Sequence, residues 1–197
     1  MKQKDREACL MEAAMEIIAK NGMNSFAMKQ VTTKAGVSEA LIYKYFGTKE
    51  KLLKKCYDTV NQQIGSLFED MQVTMLQSQP GVHGLAHEMW MRYIQFLVKN
   101  DFRTLFYFEY RTAFEREVRE DGDEAAKTYF KKFVFIFQQF DQMYHVFQRM
   151  NNQLFWTYIL DGTGLFARRF ICQNIPATAE NFELAWKLIW GGIGGLI

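Results

Sequence analysis

Residues 27–50, AMKQVTTKAGVSEALIYKYFGTKE, constrain the fold more strongly than any other part of the chain. Two short helical patterns are separated there by an Ala-Gly-Val-Ser turn, and a third helix is expected to start at Lys49. Gly36 supplies a turn residue that is free to adopt positive φ, and Ser38 is a natural N-cap for the next helix. This order predicts a helix-turn-helix, a motif whose second helix lies in the DNA major groove.

The side chains of this stretch divide into an inward and an outward set. Two crossed helices need a shared apolar core, and the residues at suitable positions are Val31, Val37 and Ile42. The residues left to face outward are Glu39, Ala40, Leu41 and Lys44.

The run AGVSEALIYKYFGTKEKLL resembles the signature of the tetracycline-repressor (TetR) family of bacterial transcription regulators, roughly A-G-V-S-x-G-x-[LI]-Y-x-Y-F-x-x-K-E-x-L. The matching residues are Ala35, Gly36, Val37, Ser38, Ile42, Tyr43, Tyr45, Phe46, Lys49, Glu50 and Leu52. The chain has Ala40 where the family often has glycine, and Thr32 where alanine is usual. Ala27 stands where the family usually starts this helix with a threonine, so the phosphate contact of that threonine is not expected. Ser25 is available to cap the helix instead.

The resemblance and the donor chemistry together predict a DNA-binding set. Lys44 can donate to guanine O6 and N7 or to a phosphate, and the resemblance implies that the hydroxyls of Tyr43 and Tyr45 reach phosphate oxygens. Lys49 can contact phosphate beside the amides of a helix N-terminus. The predicted residues are Lys29, Thr33, Ser38, Glu39, Ala40, Leu41, Tyr43, Lys44, Tyr45 and Lys49.

Within that set, Glu39, Ala40 and Leu41 are expected to select the base sequence, through a carboxylate that accepts from cytosine N4 and through contact with thymine methyl groups. An alternative is that the aromatic residues only pack the small core. We favour the core for Phe46, which has no polar group, and DNA for Tyr45.

Composition predicts an all-α protein with about nine helices. Hydrophobic residues make up 49% of the 197 residues, prolines occur only at positions 80 and 176, and apolar residues recur with helical period. We expect a helix-turn-helix DNA-binding domain at 1–55, with the motif at 27–46, and a larger ligand-binding and dimerisation domain at 56–197. Residues 1–55 hold 11 Lys and Arg against 6 Asp and Glu, whereas the remainder holds 13 against 16. A basic domain on a mildly acidic body suits phosphate binding at one end.

The expected helices follow the breaks in the pattern. They span residues 4–21, 28–34, 39–46, 49–77, 82–100, 101–113, 124–150, 152–172 and 178–195. The polar run at 115–124 is expected to be a surface connection.

The body contains most of the chain's aromatic residues. Most are expected to form a plain core, but the resemblance implies a ligand cavity walled by these helices. The candidate lining residues are Trp90, Tyr93, Phe106, Tyr110, Phe137 and Tyr158. Such a lining suits an apolar or aromatic effector, for example a drug, a dye or a lipid-like molecule.

The last helix, NFELAWKLIWGGIGGLI, is apolar on nearly every side. A helix of this kind needs cover, and a two-fold partner would supply it. The resemblance implies a homodimer that pairs its last two helices as a four-helix bundle. Burial within the same chain is the alternative.

Other site chemistries find little support in the sequence. His83 and His87 are spaced i, i+4, but HGLAHE is not the H-E-x-x-H order of a zinc protease. Cys9, Cys56 and Cys172 show no CxxC spacing. No catalytic residue, metal site or cofactor is therefore predicted. No apolar run reaches the roughly 18 to 20 residues of a membrane span, and no signal peptide is evident, so a cytoplasmic protein is expected.

The function predicted is a ligand-responsive repressor that leaves a palindromic DNA operator when a small apolar or aromatic effector binds. An activator of the same architecture is one alternative. A carrier or enzyme that uses the aromatic cavity is another, from a different class.

Overall fold

The computed structural model describes residues 3–71, 81–145, 154–155, 157–173 and 175–194. These residues are almost entirely helical and contain no strand, which confirms the all-α prediction. The helices are α1 (Gln3–Asn21), α2 (Met28–Ala35), α3 (Glu39–Phe46), α4 (Lys49–Ser66), α5 (Gly81–Lys99), α6 (Asp101–Ala113), α7 (Glu115–Glu120), α8 (Gly122–Thr128), α9 (Lys131–Tyr144), α10 (Gly162–Cys172) and α11 (Ala179–Gly194). A π-helical turn, Thr157–Asp161, precedes α10. None of the described helices is long and apolar enough to cross a membrane.

The chain forms two compact units that do not coincide with two continuous halves. The first unit combines Met1–Gln63 with Asp101–Glu124, and the second combines Ile64–Asn100 with Ala125–Ile197. In the first unit α6 packs against α1, and Arg103 forms an ion pair with Glu12. The predicted division at residue 55 remains a prediction.

The core of the first unit is built from the apolar faces of α1 to α4. Its fully buried side chains include Leu10, Met15, Ile18, Val31, Ile42, Leu52, Leu53 and Cys56. Burying each of the larger side chains contributes roughly 1.5–3 kcal/mol. Burial also raises the pKa of the Cys56 thiol, and the Glu12 carboxylate adds to the shift. Thr32, at a position where alanine is usual, is buried, and its hydroxyl donates to the Lys29 carbonyl at 2.9 Å.

The cap of α2 differs from the expected one. Ala27 is the N-cap residue, and its N–H donates to Oε1 of Gln30 at 2.8 Å, so this helix has half of a capping box. Ser25 does not cap α2, because its hydroxyl donates to the Asn21 carbonyl at 2.7 Å and so closes the end of α1.

Helix α4 ends earlier than predicted. The pattern favoured a helix to residue 77, whereas α4 ends at Ser66 and a turn follows. The Leu67 and Phe68 N–H groups donate to carbonyls three residues back, at 3.1 and 3.2 Å. The Leu67 carbonyl accepts from Nη1 of Arg92 at 3.0 Å, so a side-chain donor replaces the backbone N–H that a further helical turn would supply. Residues 72–77 lie outside the described residues.

One further prediction between α6 and α10 was wrong. The polar run at 115–124 is an exposed connection as predicted, and it is helical, since α7 forms there with an i, i+4 ion pair between Arg116 and Glu120 (3.0 Å). The long helix expected at 124–150 is divided between α8 and α9. The break brings the Tyr129 carbonyl against the backbone of Gly65, where a Cβ would have no room. Residues 146–150 lie outside the described residues.

The turn between α2 and α3 depends on the backbone of Gly36. This residue adopts φ 64° and ψ 38°, and the Val37 N–H donates to the Thr32 carbonyl at 3.1 Å. The prediction of a positive-φ turn glycine is confirmed.

We expect Gly36→Ala to lower the free energy of unfolding by about 1 kcal/mol, because an L side chain is strained at positive φ. The matched control is Gly122→Ala in the same unit. At both glycines an added Cβ would have no neighbouring atom within 4 Å, but only Gly36 has positive φ. Urea unfolding midpoints of the two variants measure the effect. An equal change in both would contradict the conformational explanation.

Candidate nucleic-acid interface

The predicted DNA-binding side chains lie largely on the outside of the first unit. Seven of them are exposed: Lys29, Thr33, Ser38, Glu39, Ala40, Tyr43 and Lys44. Leu41, Tyr45 and Lys49 are half-buried. We call this set of ten residues the reading surface. Its ordered, outward groups offer amines, hydroxyls and one carboxylate, the chemistry needed for phosphate and base-edge contacts.

The opposite side of α3 holds the reading surface in place. Ile42 and Phe46, spaced i, i+4, are both buried in the core of the first unit. Phe46 is therefore a core residue, as expected. Tyr45 lies next to it, with ring centroids 6.2 Å apart, while Tyr43 remains 48% exposed. Helix α3 is thus anchored by its apolar face and presents its polar face outward.

The start of α3 leaves polar groups available. Ser38 is the N-cap residue as predicted, but its side chain makes no capping hydrogen bond. Its carbonyl instead accepts from the Leu41 N–H at 3.1 Å. The first amides of a helix carry partial positive charge, which favours a phosphate oxygen nearby.

Lys49 has a structural contact that sequence reasoning missed. Its Nζ donates to the Phe26 carbonyl at 2.9 Å and lies 5.3 Å from the centroid of the Phe26 ring. The side chain thus ties the start of α4 to the segment before α2. The role of Lys49 in DNA contact stays a prediction. Thr48 caps α4, accepting from the Lys51 N–H at 3.2 Å.

A depression of about 320 Å³ adjoins the reading surface and was also missed. Helix α1 lines one side and the turn and α3 line the other, with Arg6, Cys9, Leu10, Ala35, Gly36, Val37, Ser38 and Leu41 as the lining residues. Arg6 is exposed and lines the same depression as Ser38. Only the general basic character of residues 1–55 could have indicated this position.

The predicted ligand-binding residues divide between the two units. In the first unit Phe106 and Tyr110 are buried, and the Tyr110 ring stacks on Tyr57 with centroids 4.6 Å apart. The other four, Trp90, Tyr93, Phe137 and Tyr158, belong to the second unit. The indole N–H of Trp90 donates to the Thr163 hydroxyl at 2.9 Å.

The remaining residues of that set differ in exposure. Tyr93 is buried, and Phe137 packs edge-on against Phe155 with centroids 5.1 Å apart. Tyr158 is partly exposed, and its hydroxyl donates to the Leu188 carbonyl at 3.1 Å. A ligand role for the set stays a prediction.

The histidine pair of α5 packs against α11. The ring of His83 meets Trp190 edge-on at 4.8 Å, and Nε2 of His87 lies 2.8 Å from Oε1 of Glu183. Within the described residues, no three His, Cys, Asp or Glu side chains gather in the manner of a metal site.

Comparisons with known proteins connect this geometry to a family. The family model of bacterial regulatory proteins, tetR family, matches residues 10–56. HTH-type transcriptional regulator BetI of Rhizobium meliloti (strain 1021) is 36% identical over 70 residues, which are 36% of this chain and 33% of that protein. The fatty acid metabolism regulator protein of Bacillus subtilis (strain 168) is 30% identical over 87 residues, 44% and 43% of the two chains. The chain thus aligns with less than half the length of these relatives.

Solved structures resemble the chain over nearly its full length. A TetR family transcription regulator from Marinobacter aquaeolei VT8 has a TM-score of 0.74 at 17% identity and covers 97% of each chain. The fatty acid degradation regulator FadR from Bacillus halodurans has a TM-score of 0.67 at 16% identity and covers 98% of each. At such identities the likeness shows the fold alone.

The match to the family model contains α2, the turn and α3, which carry most of the reading surface. The matched family is one of regulatory proteins. Residues 10–56 thus match the tetR family of bacterial regulatory proteins, and the chain shares the fold of solved TetR family regulators over nearly its full length.

Proposed function

We propose that the protein is a cytoplasmic, homodimeric repressor that binds a near-palindromic operator through α3. A small apolar or aromatic effector releases it from the DNA. The observation that carries the proposal is the reading surface. Ser38, Tyr43 and Lys44 are exposed at α3, a helix that Ile42 and Phe46 anchor in the core. A surface with that composition suits phosphate and base-edge contacts better than it suits a catalytic site.

The charge distribution also supports DNA binding by the N-terminal part of the chain. Residues 1–55 carry a balance of +5, from 11 basic and 6 acidic side chains. Neutralising DNA phosphates releases condensed counterions, so a basic domain gains affinity that falls steeply with salt.

The exposed face of α11 supports the dimer. Leu184 and Leu188 lie one turn apart on this helix and are 51% and 65% exposed, whereas Trp186 and Ile189 are buried on its other side. Leu165 of α10 is also exposed. A second copy would cover these leucines, and a two-fold axis would place two α3 helices in major grooves about 34–36 Å apart.

The effector is expected to be apolar because each unit contains buried aromatic side chains, including Phe106 and Tyr110 in the first and Trp90 and Tyr93 in the second. The Bacillus subtilis relative is named for fatty acid metabolism, which favours a lipid-like molecule. Such a molecule can release DNA only if it binds the DNA-incompetent arrangement of the dimer more tightly.

An activator of the same architecture would share every feature above, and a promoter-fusion assay distinguishes it from a repressor. A small-molecule carrier would need no reading surface, so loss of DNA binding would not affect it.

The test is the binding of purified protein to DNA upstream of its own gene, measured over a range of salt concentrations. We expect specific binding at least about a thousandfold tighter than binding to random DNA. The logarithm of the affinity should fall by roughly 0.9 per phosphate contact for each unit of log salt. Equal, weak binding to both DNAs would contradict an operator at that site.

A further inference from the structure

A buried amide in the first unit has an unused donor. The Asn61 side chain lies on α4 and is only 1% exposed. Its Oδ1 accepts a hydrogen bond from the Tyr107 hydroxyl at 3.1 Å, whereas its Nδ2 is sealed from solvent and has no partner among the described residues. A buried donor left unsatisfied costs about 1–3 kcal/mol. Since native proteins pair nearly all such groups, this one calls for a partner enclosed with it.

The surroundings of Asn61 are aromatic and closed to water. One helical turn earlier on α4, the Tyr57 ring lies between two tyrosines of α6, with centroids 5.1 Å from Tyr107 and 4.6 Å from Tyr110. Burial raises the pKa of Tyr110 well above its ordinary value, and the Asp58 carboxylate adds to the shift. A hydrogen bond made in such an environment is stronger than one made in water.

The amide oxygen of Asn61 already has a donor. The Tyr107 hydroxyl donates to Oδ1, and the Tyr107 ring stacks on Tyr57. With this hydrogen bond in place, Nδ2 is the amide atom left to bind a partner. A donor close to aromatic rings suits a molecule that has an apolar body and one oxygen acceptor.

We propose that Asn61 is the polar anchor of the effector, donating from Nδ2 to a carbonyl, carboxylate or sulfonate oxygen on an otherwise apolar molecule. This inference rests on the proposed ligand response and narrows the effector class. Hydrocarbons without an acceptor cannot form this hydrogen bond, and cations carry no acceptor for the Nδ2 donor.

Two fluorescent probes with one ring system test the anchor. The probe 8-anilinonaphthalene-1-sulfonate carries an acceptor group, and N-phenyl-1-naphthylamine is the same molecule without it. Both are titrated into the full-length protein and into Asn61→Leu, Asn61→Asp and Gln62→Leu. Gln62 is the matched control, because it is the neighbouring amide on α4 and is exposed.

We expect Asn61→Leu to weaken sulfonate binding about tenfold or more, the value of a hydrogen bond to a charged group, and to leave the naphthylamine unchanged. Asn61→Asp keeps the size of the side chain and should weaken sulfonate binding further through charge repulsion. Gln62→Leu should change neither affinity.

Three results would overturn the anchor. Equal losses for both probes would mean that Asn61 only maintains the structure, and unchanged sulfonate affinity would mean that a buried water satisfies the amide. If the unaltered protein binds neither probe saturably, the proposed ligand response is contradicted. That result differs from one in which the protein binds the probes but Asn61 plays no part. Melting temperatures of the variants identify any that do not fold, and Asn61→Asp then decides the question if Asn61→Leu unfolds.

Discussion

Replacing Lys44 and Tyr45 together with alanine is expected to lower operator affinity by at least about a hundredfold, since each lost contact to DNA costs about 1–3 kcal/mol. Lys44 is exposed on α3, and Tyr45 is half-buried beside Phe46. Neither side chain is part of the buried core, so the fold should persist. Fluorescence anisotropy with labelled operator DNA at one fixed salt concentration measures the change.

Lys20→Ala is the control for charge alone. Lys20 is exposed in the last turn of α1, outside the reading surface, so its loss removes one positive charge from the same unit. We expect it to weaken binding only slightly. The double variant should retain its oligomeric state and its binding of the sulfonate probe. Unchanged operator affinity in the double variant would show that α3 does not read this DNA.

The second large effect is expected at α11. Changing Leu184 and Leu188 to glutamate would place four carboxylates in one two-fold interface. An uncompensated buried charge costs several kcal/mol, so the dimer dissociation constant should rise by about a thousandfold or more. Sedimentation equilibrium at micromolar protein would then show monomers. Operator affinity should fall as well, because one α3 helix contacts only one half-site.

Phe135→Glu is the matched control for an exposed apolar residue. Phe135 of α9 is 47% exposed, close to the value for Leu184. Its replacement should leave the dimer intact. A dimer that survives the double leucine change would show that these residues face solvent or another part of the same chain.

Local signals were enough to predict the first three helices. A positive-φ glycine, an N-cap serine and apolar residues at helical spacing act within a few residues of one another, and α3 occupies the predicted 39–46. The family match covers the same segment. Burial of Ile42 was predicted from its position between two crossed helices, and burial of Phe46 from its lack of a polar group.

Where the prediction failed, contacts distant in sequence decide the structure. The end of α4 depends on Arg92, whose guanidinium donates to the Leu67 carbonyl although the two residues are 25 positions apart. The division of α8 from α9 accompanies the approach of Tyr129 to Gly65. The helix at 115–120 was not predicted within the surface connection, although an i, i+4 ion pair can stabilise a helix in such a run of charges.

Contacts between residues distant in sequence also limited the prediction of the candidate sites. The reading surface could be predicted because its residues share one short motif. The bond from Lys49 to Phe26 spans 23 residues, and the bond from Tyr107 to Asn61 spans 46. No pattern along the chain indicates such partners.

The first unit is discontinuous, since Asp101–Glu124 joins Met1–Gln63 only after residues 64–100 have been made. On a translating ribosome, the helix-turn-helix emerges well before α6, the helix that packs against α1 and supplies Arg103 to Glu12. A nascent chain that ends before residue 101 therefore lacks part of the first unit. We expect such a chain to be less stable than the full-length protein, because α1 lacks the packing that α6 provides.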